Sequence, residues 1–207
     1  MCIRDRAQLI VSSGDDSILE SHRAEITVLF CDLRGFTAFA EAAAPDEVLR
    51  ILREYHTALG ALIDRFEGTV ERFAGDGLLV LFNDPLPCPD PSARAAQMAV
   101  EMRDAVARLA MQWRAGGHQL GFGIGIAQGE ATLGLVGFEG RFQYSVTGKV
   151  ANLASRLCDH AANGQILVDG NVRDAIESTV HVDSHGHLSL KGFRQPVETF
   201  AIRGLKT

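Results

Sequence analysis

Residues 120–129, LGFGIGIAQG, place a glycine at every second position over 121–125. A period of two is the period of a β-strand, so Gly121, Gly123 and Gly125 share one face while Phe122, Ile124 and Ile126 share the other. Glycine weakens a strand because it has no side chain to pack. Three on one face are explained if another backbone lies close against that face. The run does not fit the G-x-G-x-x-G pattern of a dinucleotide loop. A sheet is therefore expected, with an apolar core on one side of this strand and a closely packed segment on the other.

The surrounding pattern fills in that sheet. EITVLFC (25–31) is a β-branched and aromatic run, a buried strand, and DLRGFT (32–37) follows with a glycine for a tight turn. Val48, Leu52, Tyr55, Leu59, Leu62 and Phe66 recur at steps of four and three, which predicts a helix starting at Pro45 and ending at Gly68. TVERF (69–73) and LLVLF (78–82) form a hairpin across a short glycine-containing turn, and NDPLPCPDP (83–91) is a loop. Met98, Met102, Val106, Leu109 and Trp113 mark a second long helix, stopped by Gly116 and Gly117. In VANLASRL (150–157), Val150, Leu153, Ala154 and Leu157 face inward, which leaves Asn152 and Arg156 together on the other side at i, i+4. A strand at QILVD (165–169), a short helix around 170–178 and two or three strands ending in TFAIRG (199–204) complete the order β-α-β-β-α-β-α-β-α-β-β. That is an α+β chain with a mixed sheet and helices packed on it. Residues 1–21 have no steady period and read as a linker or the remnant of an upstream segment, leaving 22–207 as one domain.

Charge and apolar runs remove several function classes. Twenty basic against 26 acidic residues give a net charge of −6, the wrong sign for a nucleic-acid footprint. No stretch reaches the roughly 18–20 apolar residues of a membrane span, and MCIRDRAQ has no apolar leader region. The four cysteines are scattered, as expected of reduced thiols in a cytoplasmic protein, with Cys31 and Cys158 in core contexts. His181, His185 and His187 fit a turn between edge strands better than the closed tetrahedron of a zinc site.

The chemistry lies in two aspartates. Asp32 in FCDLRG and Asp76 in AGDGLL each stand where an apolar strand meets a glycine turn. Singly, each reads as a turn residue. Together, at one sheet edge, they are paired hard oxygen ligands suited to Mg²⁺ or Mn²⁺, and the loop after Asp32 offers backbone N–H groups to phosphates.

These motifs and three others make the chain resemble the catalytic domain of class III nucleotidyl cyclases, the adenylate and guanylate cyclase homology domain. VLFCDLRGFTAFAE and ERFAGDGLLVLF resemble its two metal motifs, YSVTGKVANLASRL its Y-x-x-x-G-x-x-x-N-x-x-x-R motif, FGIGIAQGEATLGLVG its glycine-rich strand pair and LSLKGFRQPVETFAI its closing strands. The resemblance covers roughly residues 22–204. It implies a nucleotide cyclase fold with a ferredoxin-like core and a head-to-tail homodimer whose active sites lie at the interface. It implies two Mg²⁺ or Mn²⁺ ions per site, held by Asp32, Asp76 and the backbone carbonyl of Leu33, and phosphates held by Arg34, Gly35, Phe36 and Thr37. The other chain would supply Asn152 to orient the ribose and Arg156 to meet charge on the α-phosphate, with Lys191 a weaker phosphate candidate. ATP would be converted to 3′,5′-cyclic AMP and pyrophosphate in intracellular signalling, usually behind an upstream sensor or regulatory domain.

Two positions depart from the family pattern. The base-selecting residue four before the second metal aspartate is Arg72, where the family usually has Lys for adenine or Glu for guanine. Seven residues before Asn152 stands Ser145, where Asp or Thr reads adenine and Cys reads guanine. A cationic donor suits adenine N1 and a hydroxyl can accept from its amino group, so the pair leans to ATP. Arg72 could instead engage Glu71 or Glu130, which leaves a degenerate nucleotide-binding regulatory domain and a guanylate cyclase as alternatives. A diguanylate cyclase is disfavoured, because Gly77 and Leu78 stand where its hairpin carries a second acid. Tyr144 reads as core or pocket wall, and Arg141 as a solvated loop arginine that could reach a triphosphate.

Overall fold

The computed structural model describes residues 20–138 and 141–206. Most of the expected linker, residues 1–19, and the side chain of Arg141 lie outside the described part. Strand β1 (His22–Arg34) opens the domain, followed by a short helix α1 (Phe36–Ala42), the long helix α2 (Pro45–Arg65), and the hairpin β2 (Thr69–Ala74) and β3 (Gly77–Phe82). Then come α3 (Pro91–Ala115), β4 (Gly121–Phe138), β5 (Arg141–Thr147), α4 (Lys149–His160), β6 (Gln165–Val168), α5 (Gly170–Ile176), β7 (Val180–Leu188) and β8 (Val197–Leu205). The sheet runs β2-β3-β1-β4-β6-β8-β7, with β5 paired to β4. Its first four strands are antiparallel neighbours and β4 pairs β6 in parallel, so the sheet is mixed. With the helices α2 and α3 in their crossovers, β1, β2, β3 and β4 make the ferredoxin-like βαββαβ unit. Among the described residues no helix is long and apolar enough to cross a membrane.

The two faces of the sheet carry different helices. One face packs Leu29, Cys31, Ile124 and Ile126 against α2, α3 and α5, through residues such as Tyr55, Met102 and Val172. The other packs Ile26, Val28, Leu79 and Leu81 against α4 and Tyr144. Cys31 and Cys158 are buried and free, and Tyr144 is core, its hydroxyl bonded to Asp84.

Three details differ from the sequence reading. In α2 the fully buried row is Ile51, Tyr55, Leu59 and Ile63, while Leu52, Leu62 and Phe66 lie half-buried at its flank. The apolar face is wider than one stripe, and packing against α3 and the sheet selects the i+4 ridge within it. The turn after Asp32 winds into α1, entered through Gly35 at φ 82°. The polar run QYSVT becomes β5, because β4 extends past β6 and offers its free edge from Thr132 to Phe138.

The glycine face of β4 has a separate use for each glycine. A Cβ on Gly125 would collide with the α4 backbone at Ala154, Leu157 and Cys158, which is the close backbone approach that the alternation predicted. A Cβ on Gly123 would run into the Arg34 guanidinium, and one on Gly121 into Asn163. Two of the three glycines thus make room for polar side chains, which alternation alone does not distinguish from backbone.

Candidate active site

Sheet register brings the two aspartates together. Cys31 pairs with Leu78 across β1 and β3, so Asp32 lies beside the Gly75-Asp76 turn. The Leu33 N–H donates to Asp76 Oδ2 at 3.2 Å. Burial and then the hydrogen-bonded, like-charged Asp76 push the Asp32 carboxyl up to about 7, with Arg34 pulling the other way. Two carboxyls in contact at a half-buried strand end repel when both ionise, and a divalent cation relieves that repulsion with the hard oxygen donors it prefers. The donor set therefore fits Mg²⁺ or Mn²⁺. His56 of α2 is nearby, its ring edge-on to Phe73 at 5.0 Å, and burial holds its pKa down.

The loop after Asp32 divides its labour. Gly35, Phe36 and Thr37 form the start of α1, whose first turn has no side-chain cap. Arg34, expected at the phosphates, turns along the glycine face of β4 toward α4. Its Nε donates to the Ala161 carbonyl at 2.9 Å and its Nη2 to that of Cys158, so it caps the C-terminal end of α4. Its Nη2 also reaches Cys158 Sγ at 3.5 Å, and its Nη1 lies 3.7 Å from Asp32.

A second polar region lies on α4 and the β7–β8 connection. Lys149, Asn152 and Arg156 line a cleft of about 690 Å³ together with Lys191, Phe193 and Arg194. Asn152 and Arg156 share one side of α4, as the i, i+4 spacing predicts, because Val150, Ala154 and Leu157 are buried on the other. Arg156 also pairs with Asp159 at 2.8 Å. Four cations around one cleft suit a polyanion. Neither Asp32 nor Asp76 lines it.

The third region holds Arg72 and Ser145. A register shift between Val70 and Arg72 makes Glu71 the extra residue of a bulge, with its side chain fully buried. Ser145 Oγ donates to Glu71 Oε1 at 2.7 Å, and Arg72 Nε lies 3.4 Å from Glu71 Oε2. Glu71 is thus the carboxylate that engages Arg72, while Glu130 lies opposite Arg23.

A family model described as the adenylate and guanylate cyclase catalytic domain matches residues 19–204. The chain belongs to the class III nucleotide cyclase family. The cyclase domain superposes on the crystal structure of the adenylyl cyclase CyaB from P. aeruginosa with a TM-score of 0.87 at 31% identity, covering 91% of this chain and 98% of that one. It is equally similar to the guanylyl cyclase Cya2, with a TM-score of 0.85 at 35% identity, covering 90% and 95%. An adenylate cyclase of Mycobacterium tuberculosis is 31% identical over 176 residues, 85% of this chain and 39% of that protein. The chain spans about a third of the length of the curated relatives it matches.

Reading the sequence missed two cations of the cleft and the place of Glu71. Lys149 and Arg194 were visible only as basic residues inside TGKVAN and LKGFR, with nothing to say that a helix start and a distant loop converge. Glu71 was visible as a partner for Arg72, but its bond to Ser145 depends on the bulge.

Proposed function

We propose that this cyclase domain is an adenylate cyclase that forms 3′,5′-cyclic AMP and pyrophosphate from ATP at sites shared between two copies of the chain. The observation that carries this reading is the separation of a carboxylate pair from a cationic cleft on the same chain. A head-to-tail dimer sets the acidic edge of one copy against the cleft of the other and completes two identical sites. Asp32, Asp76 and the Leu33 carbonyl would hold Mg²⁺ or Mn²⁺. Bound there, the ions lower the pKa of the ribose hydroxyl and neutralise triphosphate charge.

The rest is done by side chains. Asn152 orients the ribose so that its 3′-oxygen faces the α-phosphorus. The new 3′-O–P bond forms as the bond from the α-phosphorus to the pyrophosphate oxygen breaks, and the hydroxyl proton leaves to water. Arg156 donates to the α-phosphate oxygens as their charge grows. Lys191, with Lys149 and Arg194, holds the departing pyrophosphate, and the first turn of α1 offers N–H groups at Phe36 and Thr37. Arg72 and Ser145 read the base, with the Arg72 donors directed to adenine N1 and the Ser145 oxygen to the amino group.

A guanylate cyclase is the second reading, favoured by the Glu71 carboxylate beside Ser145, since a carboxylate accepts from guanine N1–H. Adenine leads because Glu71 is buried behind the pair that a base would meet. The test is incubation of the purified protein with Mn²⁺ or Mg²⁺ and either ATP or GTP, with products identified by mass. Cyclic AMP as the main product supports the proposal, and cyclic GMP transfers it to the second reading. Nucleotide binding without turnover would make the domain a regulatory module instead. Signalling output and an upstream sensor belong to the same proposal, as the chain spans only 33–39% of the curated mycobacterial relatives' length.

A further inference from the structure

Glu71 is the one buried carboxylate at the base-reading edge, and one of its oxygens is unsatisfied. Its side chain is fully excluded from solvent, yet among the described residues Oε2 has no hydrogen-bond partner. A buried acceptor left unpaired is costly, so its retention calls for an explanation. Two strands that are not sheet neighbours meet at this residue. Ser145 of β5 donates to Oε1, Gln143 of β5 donates to the Glu71 carbonyl at 3.3 Å, and Arg72 of β2 places Nε 3.4 Å from Oε2.

We propose that Glu71 is a positioning residue that sets the base preference of the site by fixing the hydrogen-bond polarity of Ser145 and Arg72. This rests on the adenylate cyclase reading. A serine hydroxyl has one proton to donate. Here that proton goes to Glu71 Oε1, so the Ser145 oxygen meets a base as an acceptor only. Arg72 is a donor only, and its half-exposed side chain is drawn to the second carboxylate oxygen by charge, Nε standing 3.4 Å from it without a hydrogen bond. The edge therefore presents one acceptor and one donor. Adenine offers the complement, an amino donor and the N1 acceptor, whereas guanine O6 in front of Ser145 would set acceptor against acceptor. Oε2 itself is screened from solvent, so Glu71 acts through its two neighbours and does not touch the base.

Glu71→Gln keeps the shape and changes the polarity. The amide can donate to Ser145, which frees the hydroxyl proton to point at the base, and Arg72 loses the charge that draws it. The ratio of kcat/KM for ATP over GTP is measured for the parent, Glu71→Gln, Ser145→Ala and the double variant. The same four proteins are titrated calorimetrically with both nucleotides, which gives the preference as a ratio of Kd values even without turnover. Glu71→Gln is expected to lower the ATP preference about tenfold, the worth of one hydrogen bond. On the Ser145→Ala background it should add little, because its main route to the base is gone. Equal losses for both nucleotides, or full multiplicative effects in the double variant, would overturn the proposal, since a merely structural carboxylate predicts them. If the parent prefers GTP while the Glu71→Gln change still depends on Ser145, the adenine reading fails and the positioning role stands.

Discussion

Asp32 and Asp76 meet through the backbone, whereas the cations of the cleft meet through side chains that reach toward one another from separate elements. Asp32 sits one residue and Asp76 two residues beyond the last β1–β3 pair, Cys31–Leu78, and a main-chain N–H of β1 holds the carboxylate of the hairpin turn. Lys149 and Arg156 project from α4, and Lys191 and Arg194 from the β7–β8 connection, into open space. The acidic edge is compact and carries its own repulsion, while the cleft is roomy and repels in the opposite sense. In the proposed dimer each is a half-site whose charge is balanced by the other, so that two copies of one chain suffice for the proposed chemistry.

The strongest way to break that comparison is to disable one half at a time. Asp32→Ala and Arg156→Ala should each lower kcat by roughly 10²–10³-fold, the usual cost of losing a group that stabilises transition-state charge. Mixed in equal amounts they should recover about a quarter of parental activity, because about half the dimers are mixed and each carries one intact site of two. No recovery, with mixed dimers shown by native mass spectrometry, means that the halves do not complement across chains.

The cleft also depends on how α4 is seated. Gly125→Ala inserts a Cβ where the α4 backbone lies and should destabilise the fold by about 1–3 kcal/mol, read as a lower Tm by calorimetry. An unchanged Tm would show that α4 is not held against the glycine face. A finer probe is Lys191→Ala beside Arg194→Ala. Each should raise KM for nucleotide about tenfold with kcat nearly unchanged, and the difference from the parent should shrink as salt screens the removed attraction. A fall in kcat alone would assign these cations to the chemical step and not to holding the phosphates.

The smallest effect concerns the acidic half by itself. Asp32 has an ordinary carboxyl pKa of 3.8 when unfolded and about 7 when folded, so the folded state binds more protons between those values. Metal-free stability from this group therefore falls as pH rises from about 4 to 7 and is level above that. Asp32→Asn should flatten this slope in a Tm series, and Mg²⁺ or Mn²⁺ should raise the parental Tm above pH 7 while leaving the variant unmoved. Equal stabilisation of both proteins by the ions would remove Asp32 from the proposed ligands.

Much of the site was legible because its motifs are local. The i, i+4 spacing was enough to put Asn152 and Arg156 on one side of α4, and the two glycine-flanked aspartates stood at strand ends. Arg34 was not legible in this way. Its position beside Asp32 points to the phosphates, but its side chain crosses Gly123 to the carbonyls of Cys158 and Ala161, more than a hundred residues along the chain. The inward row of α2 was right at Tyr55 and Leu59 but one residue off at Ile51 and Ile63 for a related reason, since periodicity gives the apolar face but not the neighbour that presses on it.

By itself the sequence determined the elements other than α1 and β5, their order and the family, because each follows from short-range periodicity and from motifs a few residues long. Only the tertiary structure decided that the carboxylates share one edge, that Lys149 and Arg194 join Lys191 around one cleft, and that Glu71 stands between Arg72 and Ser145. Those facts depend on strand register, a single bulge and the seating of one helix, which are settled by packing between segments far apart in the chain.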